Sequence, residues 1–347
     1  MPHPNLKSYL FAAYTKIRGW FVSGIIPLST KLKNFCTSWW KIMLLIFSGF
    51  FILYYGLGGW SVNKIDTDTD YEINTPANQS ATIEMMSFLI NREVRENMWT
   101  PNLPFVFPSY FLDNMPNFQL GLFSALQNTS KAMARRLDKT VASSDDRPLK
   151  TAAEYLSYPG TIWMFSPQNK LVPVPSAGSQ YRKARKQLIN YNQSLRDGSD
   201  VFYKSPQDLA YILQQIAKDL WRSSGVLEEH IQEHSSDWFD FQSDNLFYHQ
   251  QGKLYGYYLL IKALCFDYKN IIVASDVYAP LTNMLKALEN AAHLSPTIVY
   301  NGTIASSANS LLALNYYTVK ADVIAESIIK RLLETNPIPP QGHADDY

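Results

Sequence analysis

Cysteine is almost missing from this chain: Cys36 and Cys265 are the only two in 347 residues. That excludes a disulfide scaffold and any multi-cysteine zinc module. Charge is scarce as well, at 18% of residues, below the roughly 25% usual in soluble domains. With 31 Lys+Arg against 30 Asp+Glu the net charge is only +1. A globally basic nucleic-acid binder and an acidic disordered chain are both excluded, so no nucleic acid is expected as a partner. Several catalytic signatures are absent too: GxSxG, GxxxxGK[ST], CxxC and HExxH do not occur. No cofactor is therefore expected, and the balance leans against an enzyme. What the chain does have is 46% hydrophobic residues, ample for a core.

The even charge hides a division. No Asp or Glu precedes Asp66, while Lys7, Lys16, Arg18, Lys31, Lys33, Lys41 and Lys64 do. The remainder, 66–347, holds 24 basic against 30 acidic residues, a balance of −6. Between Lys41 and Lys64 lie 22 residues without a charge, IMLLIFSGFFILYYGLGGWSVN. As a helix such a run is about 33 Å long, enough to cross the roughly 30 Å hydrocarbon core of a bilayer. Trp39, Trp40 and Trp60 suit the two interfacial belts. The basic flank before the run and the acidic one after it predict a cytoplasmic N-terminus and an exported C-terminal part. In a Gram-negative bacterium this is an inner-membrane protein with a periplasmic domain, and the lipid bilayer is its first partner.

These boundaries divide the chain into a basic cytoplasmic segment (1–41), a transmembrane helix (42–63), a polar stalk (64–80), a helical periplasmic domain (81–335) and a disordered tail (336–347). Within the first segment Leu6, Leu10, Ala13, Tyr14, Ile17, Trp20 and Phe21 recur at helical spacing, the pattern of an interfacial helix that Pro27 is expected to end. In the stalk, Asp66, Asp68 and Asp70 start like a calcium loop. However, Tyr71 stands where such a loop needs glycine, and Ala77 where it needs the bidentate glutamate, so an EF-hand is rejected.

Helical patterns dominate the exported part, at 81–98, 118–141, 180–195, from Pro206 to a break at Gly225, and at 252–267, 277–293 and 319–335. Pro101, Pro104, Pro108 and Pro116 impose irregular backbone between the first two. IIVAS (271–275) and TIVYNG (297–302) are short strand candidates. The run LYGYYLLIKALCF (254–266) is too short and, with Lys262, too charged to be a second span, so it is expected to be a buried central helix. The fold class is mainly α, with proline-rich irregular connections. Cys265 is expected to be a small core residue.

One pattern has metal-ligand spacing: His230-Ile231-Gln232-Glu233-His234 matches HxxEH. On a helix His230 and His234 lie one turn apart on one face, which suits zinc, and Glu233 would be the general base for a bound water. The pattern supplies no third ligand. Glu228, Glu229, Asp237 and Asp240 are nearby candidates, and His249 and His293 distant ones. The competing reading is an exposed charged helix. Arg182, Lys183, Arg185 and Lys186 form a local basic run that would meet anionic headgroups or an acidic partner, unless it is simply a solvated face.

Four stretches carry a family resemblance: TPNLPFVFPSYFLDNMPNFQLG (100–121), YPGTIWMF (158–165), QYRKARKQLINYNQSL (180–195) and SDNLFYHQQGKLYGYYLLIKAL (243–264). In them the chain resembles the bacterial family known as domain of unknown function 2333, whose members look like single-pass inner-membrane proteins. The resemblance implies an envelope location and a helical exported domain, and it brings no catalytic residues. The expected function is a non-enzymatic scaffold or accessory subunit of an inner-membrane complex, with other envelope proteins or a second copy as partners. The alternative is a zinc-dependent periplasmic hydrolase built on residues 230–234.

Overall fold

The computed structural model of the protein describes residues 6–62, 65–71, 75–76, 78–108, 112–137, 147–166, 169–234, 241–296, 299 and 310–335. The backbone divides into two units, Met1–Gly58 and Gly59–Tyr347.

The first unit is the body of α1 (Leu6–Val62). Pro27 was expected to end a helix here, yet helical backbone continues through it. Proline removes one main-chain donor without forbidding helical dihedrals on either side. Within α1, Trp39–Gly59 is long and apolar enough to cross a membrane, and only 6% of that window is buried. The core helix of a soluble protein would be mostly covered, and among the described residues this stretch is not. Trp39 and Trp40 are exposed on this stretch, while the side chain of Trp60 lies outside the described residues.

The second unit is mainly helical, as its apolar spacing predicts. Its helices are α2 (Ala81–Asn91), α3 (Asn114–Leu137), α4 (Pro148–Leu156), α5 (Ala177–Arg196), α6 (Pro206–Glu233), α7 (Phe241–Asp267), α8 (Lys269–Ala274), α9 (Tyr278–Ala292) and α10 (Ser310–Glu334). A π-helical turn, Arg92–Glu96, extends α2. Ser205 caps α6, its side chain accepting from the Asp208 N–H, and Pro206 follows at the first helical position, as expected. Gly225 does not break α6. The expected strand at 271–275 is instead α8 and the residue after it. Strand preference is decided by context, and one helical turn here buries both Ile271 and Ile272. Unforeseen, β1 (Phe165–Ser166) and β2 (Asn169–Pro173) form a small antiparallel pair. Of the other strand candidate, 297–302, only residue 299 is described, and the tail from 336 lies outside the described residues.

The core is organised around α7, which packs against α2, α3, α6, α9 and α10. Its middle is buried on every side: Leu254, Tyr255, Tyr257, Leu259, Leu260 and Ile261 expose nothing. That is the expected central helix. Cys265 packs on the same core, and burial pushes its thiol up to about 12. At the crossing with α3, glycines bring the two backbones together. A Cβ on Gly252 would collide with the Phe118 carbonyl, and one on Gly121 with the His249 carbonyl. At its C-terminus α7 presents Asp267 to the start of α2. The carboxylate accepts from Ser80 Oγ (2.7 Å), Ala81 N (2.8 Å), Thr82 N (3.0 Å) and Thr82 Oγ1 (2.7 Å). Those bonds satisfy orphan donors that a buried helix N-terminus would otherwise leave unpaired.

The segment expected to be a polar stalk is not free. Residues 65–71 are strapped onto the helical unit. Ile65 and Tyr71 pack on its core and Thr69 is buried. The Asp68 carbonyl accepts from Tyr255 Oη at 2.7 Å and the Thr69 carbonyl from Lys262 Nζ at 2.9 Å. The composition is polar, yet its main-chain acceptors find side-chain donors on α7, and it therefore docks.

Candidate functional site

The HxxEH pattern falls at the C-terminal end of α6, with His234 as the residue that closes the helix. The helical spacing brings the two imidazoles side by side, ring centroids 4.5 Å apart and tilted by 35°. His230 Nε2 is 3.0 Å from the hydroxyl of Ser243 on α7. Glu233 is exposed. Glu229, His230, Glu233, Asn245 and His249 line one open groove of about 470 Å³. Burial and the neighbouring Lys253 push His249 down to about 4, against the pull of Asp219, so its imidazole is neutral. His293 sits elsewhere, 3.4 Å from Thr69 in the strap. Asp237 and Asp240 lie outside the described residues. Among the described residues no three His, Cys, Asp or Glu side chains are grouped to hold a metal ion. The pattern thus yields a histidine pair and a nearby carboxylate, but not the three converging ligands of a catalytic zinc site.

The basic run lies on α5. Arg182, Lys183 and Lys186 are exposed, with Lys183 Nζ over the Tyr155 ring at 5.6 Å. Arg185 is used internally, its Nε donating to the Ser87 carbonyl of α2 at 3.2 Å. The tertiary structure adds cations that a local reading misses. Lys131 and Arg135 of α3 and Arg147 and Lys150 at the start of α4 line a groove of about 690 Å³, with Glu154 the one acidic residue among its described lining. The two pairs stand well apart along the chain, and only the packing of α3 on α4 unites them.

Two buried polar clusters also escape sequence patterns. In the first, Arg92 and Glu93 begin the π-helical turn and are both buried. Arg92 Nε donates to Glu93 at 2.7 Å, and its Nη1 to Tyr255 Oη at 2.8 Å and to Asp66 at 3.3 Å. The guanidinium also lies over the rings of Tyr71 (5.5 Å) and Tyr255 (5.2 Å). Burial opposes its charge, but Glu93, Tyr255 and Asp66 outweigh that and hold its pKa above the ordinary value. Gln119 Nε2 donates to Glu93 at 3.1 Å, while its Oε1 accepts from Thr100 Oγ1 at 2.7 Å. Met98, just beyond, adopts φ 62°, a costly conformation for a side chain of its kind. Asp66 therefore belongs to an ion pair rather than to a calcium loop. In the second cluster Lys253 Nζ meets Asp219 (3.3 Å) and Ser223 (3.0 Å). Tyr257 Oη donates to the same Asp219 at 2.7 Å and accepts from Asn128 at 2.9 Å.

Chemically, both clusters are paired within the fold. Each buried charge has its counter-charge in contact, the arrangement that makes burial tolerable. The first differs in one respect: it joins the strap leaving α1 to the centre of the helical unit.

A family described as "Uncharacterized protein conserved in bacteria (DUF2333)" matches residues 80–237 and 223–335. The match begins at Ser80, the cap of α2, and leaves α1 and the strap outside it. No curated protein and no solved structure matches the chain.

Proposed function

The chain belongs to the uncharacterised bacterial family DUF2333, and from that premise we propose that it is a bitopic cell-envelope protein. In this reading it is a non-enzymatic scaffold or accessory subunit of an inner-membrane complex, with its N-terminus cytoplasmic and its helical domain periplasmic. The observation that carries the reading is the fastening of residues 65–71. A helix apolar enough to span a bilayer is followed within a few residues by backbone bound to Tyr255 and Lys262 of the central helix. Only residues 60–64 separate that apolar stretch from the docked strap, at most about 20 Å of chain, a short connection that suits a domain working close to the bilayer with other envelope proteins. Charge supports the orientation, since every acidic residue follows the span. The exposed cations Arg182, Lys183 and Lys186 and the α3–α4 groove offer an acidic envelope protein a complementary face.

The test is crosslinking and affinity purification of the full chain from native membranes, beside an R182E/K183E/K186E variant. A discrete envelope protein recovered with the wild type and depleted several-fold with the variant is expected. Recovery of the chain alone, in detergent that preserves known complexes, overturns the reading. Phosphatase fused after Tyr347 tests topology separately: an inactive fusion rejects the periplasmic placement. The second reading, a zinc-dependent periplasmic hydrolase, rests on the 4.5 Å histidine pair.

A further inference from the structure

Two loops of the helical unit, joined to each other by hydrogen bonds, expose apolar side chains. On the first, Phe105 and Val106 are 67% and 52% exposed. On the second, Trp163, Met164 and Phe165 are 39%, 41% and 45% exposed. The loops are bound to each other at their bases. Trp99 Nε1 donates to the Gly160 carbonyl at 2.8 Å, and Asn102 Nδ2 to the Ile162 carbonyl at 2.7 Å. The Val174 N–H donates to the Met164 carbonyl at 2.8 Å, which steadies the second loop. Neither stretch, 99–112 or 155–169, contains a charged residue, although the chain beyond residue 65 carries a balance of −6. Exposed aromatic and aliphatic side chains on charge-free, proline-braced loops are costly in water and ordered in advance.

Their position names the occupant. The Pro108 carbonyl lies 3.6 Å, and Leu112 Cδ2 3.7 Å, from where a Cβ on Gly59 would be. Gly59 is the last residue of the apolar stretch Trp39–Gly59. Phe105 is three residues from Pro108, at most about 10 Å along the chain. A surface that close to the end of a spanning helix meets the headgroup layer, which is also where Trp and Phe partition best. We propose that the collar formed by Phe105, Val106, Trp163, Met164 and Phe165 inserts into the outer face of the bilayer, a second membrane contact beside α1. The inference rests on α1 being a membrane anchor.

The test uses the full chain with Cys36→Ser and Cys265→Ala, reconstituted in phosphatidylethanolamine–phosphatidylglycerol vesicles. Single nitroxide labels are placed at Leu45→Cys, Phe105→Cys, Trp163→Cys and, for comparison, Tyr316→Cys, an exposed site on α10. Collision with lipid-soluble oxygen is compared with collision with an aqueous nickel chelate. An oxygen-to-nickel ratio several-fold higher at 105 and 163 than at 316 is expected. A ratio at 105 and 163 equal to that at 316, with Leu45 lipid-like, overturns the inference and leaves the anchor standing. A water-like ratio at Leu45 itself overturns the anchor, and the inference with it. Labels at 105 and 163 shielded from both reagents show the collar covered by protein, which also overturns it. Unchanged helical circular dichroism confirms that each labelled chain is folded.

Discussion

Arg92 and Tyr255 hold each other in two ways: Nη1 donates to the phenol oxygen at 2.8 Å, and the guanidinium lies 5.2 Å from the centre of the same ring. The phenol passes the connection on, donating to the Asp68 carbonyl at 2.7 Å. Tyr255 is fully buried, and burial raises its pKa further above the ordinary range, so it remains a donor at any physiological pH. A central helix, a π-helical turn and the strap from α1 thus meet at one hydroxyl.

Removing that hydroxyl tests the strap. Tyr255→Phe leaves a buried guanidinium donor and a main-chain acceptor short of a partner, a cost of about 1–3 kcal/mol. The expected result is a lower midpoint in thermal unfolding and faster proteolysis within 64–72 under native conditions. Unchanged cleavage in that segment would show that the strap is held by something other than Tyr255.

Two glycines should respond in opposite directions to the same substitution. Gly252→Ala drives a methyl into the Phe118 carbonyl, and overpacking of this kind costs about 1–3 kcal/mol or more. Gly225 lies within α6 with nothing near its Cβ position. There Gly225→Ala should stabilise by about 0.5–1 kcal/mol through helix propensity. Urea titration of both variants checks the pair, and equal effects would contradict the α3–α7 crossing.

Two groups on α7 should make stability depend on pH with opposite signs. His249 is pushed down to about 4, by burial first and then by Lys253. Its folded pKa lies below the ordinary value of about 6.5, so its contribution is complete above pH 6.5 and is lost as pH falls toward 4. Asp244 is pushed up to about 6, by burial first and then by Asp113. Its contribution is complete below about pH 4 and is lost as pH rises through 6. In the wild type the two largely cancel between pH 4 and 6. His249→Gln should therefore become more stable toward pH 4 and Asp244→Asn less stable, measured by unfolding across that range. Parallel profiles for the two variants would refute the assignment.

Metal content decides the histidine pair. A catalytic zinc needs three protein ligands at about 2.0–2.2 Å, and the described residues bring no such group together. Elemental analysis of the purified full chain is expected to find well under one zinc per chain, unchanged in His230→Ala/His234→Ala. Stoichiometric zinc that the double variant loses would instead establish the hydrolase reading.

Local chemistry determined much of this protein. The charge-free run beyond Lys41 needs no tertiary context to be apolar and, as a helix, about 33 Å long. The spacing of Leu209, Ile212, Leu213, Ile216 and Leu220 is enough to make α6 amphipathic, and all five are buried. Even α7 was legible, because a run of apolar residues too short to span a membrane must be covered by protein. For the candidate site, the helix repeat alone sets His230 beside His234.

What only the tertiary structure decided depends on partners distant in the chain. Asp66 and Asp68 read as a solvated stalk until Arg92 and Tyr255, 26 and 187 residues away, are placed against them. Asp267 is an ordinary acidic residue until the N-terminus of α2 is aimed at it. Phe105 and Trp163 stand in stretches that the sequence assigns to no helix, and exposure is a property of the assembled surface alone. The physical reason is common to all of them. Periodicity reports which face a segment buries, whereas pairing of a charge, satisfaction of a carbonyl or exposure of a ring depends on what another segment brings to it.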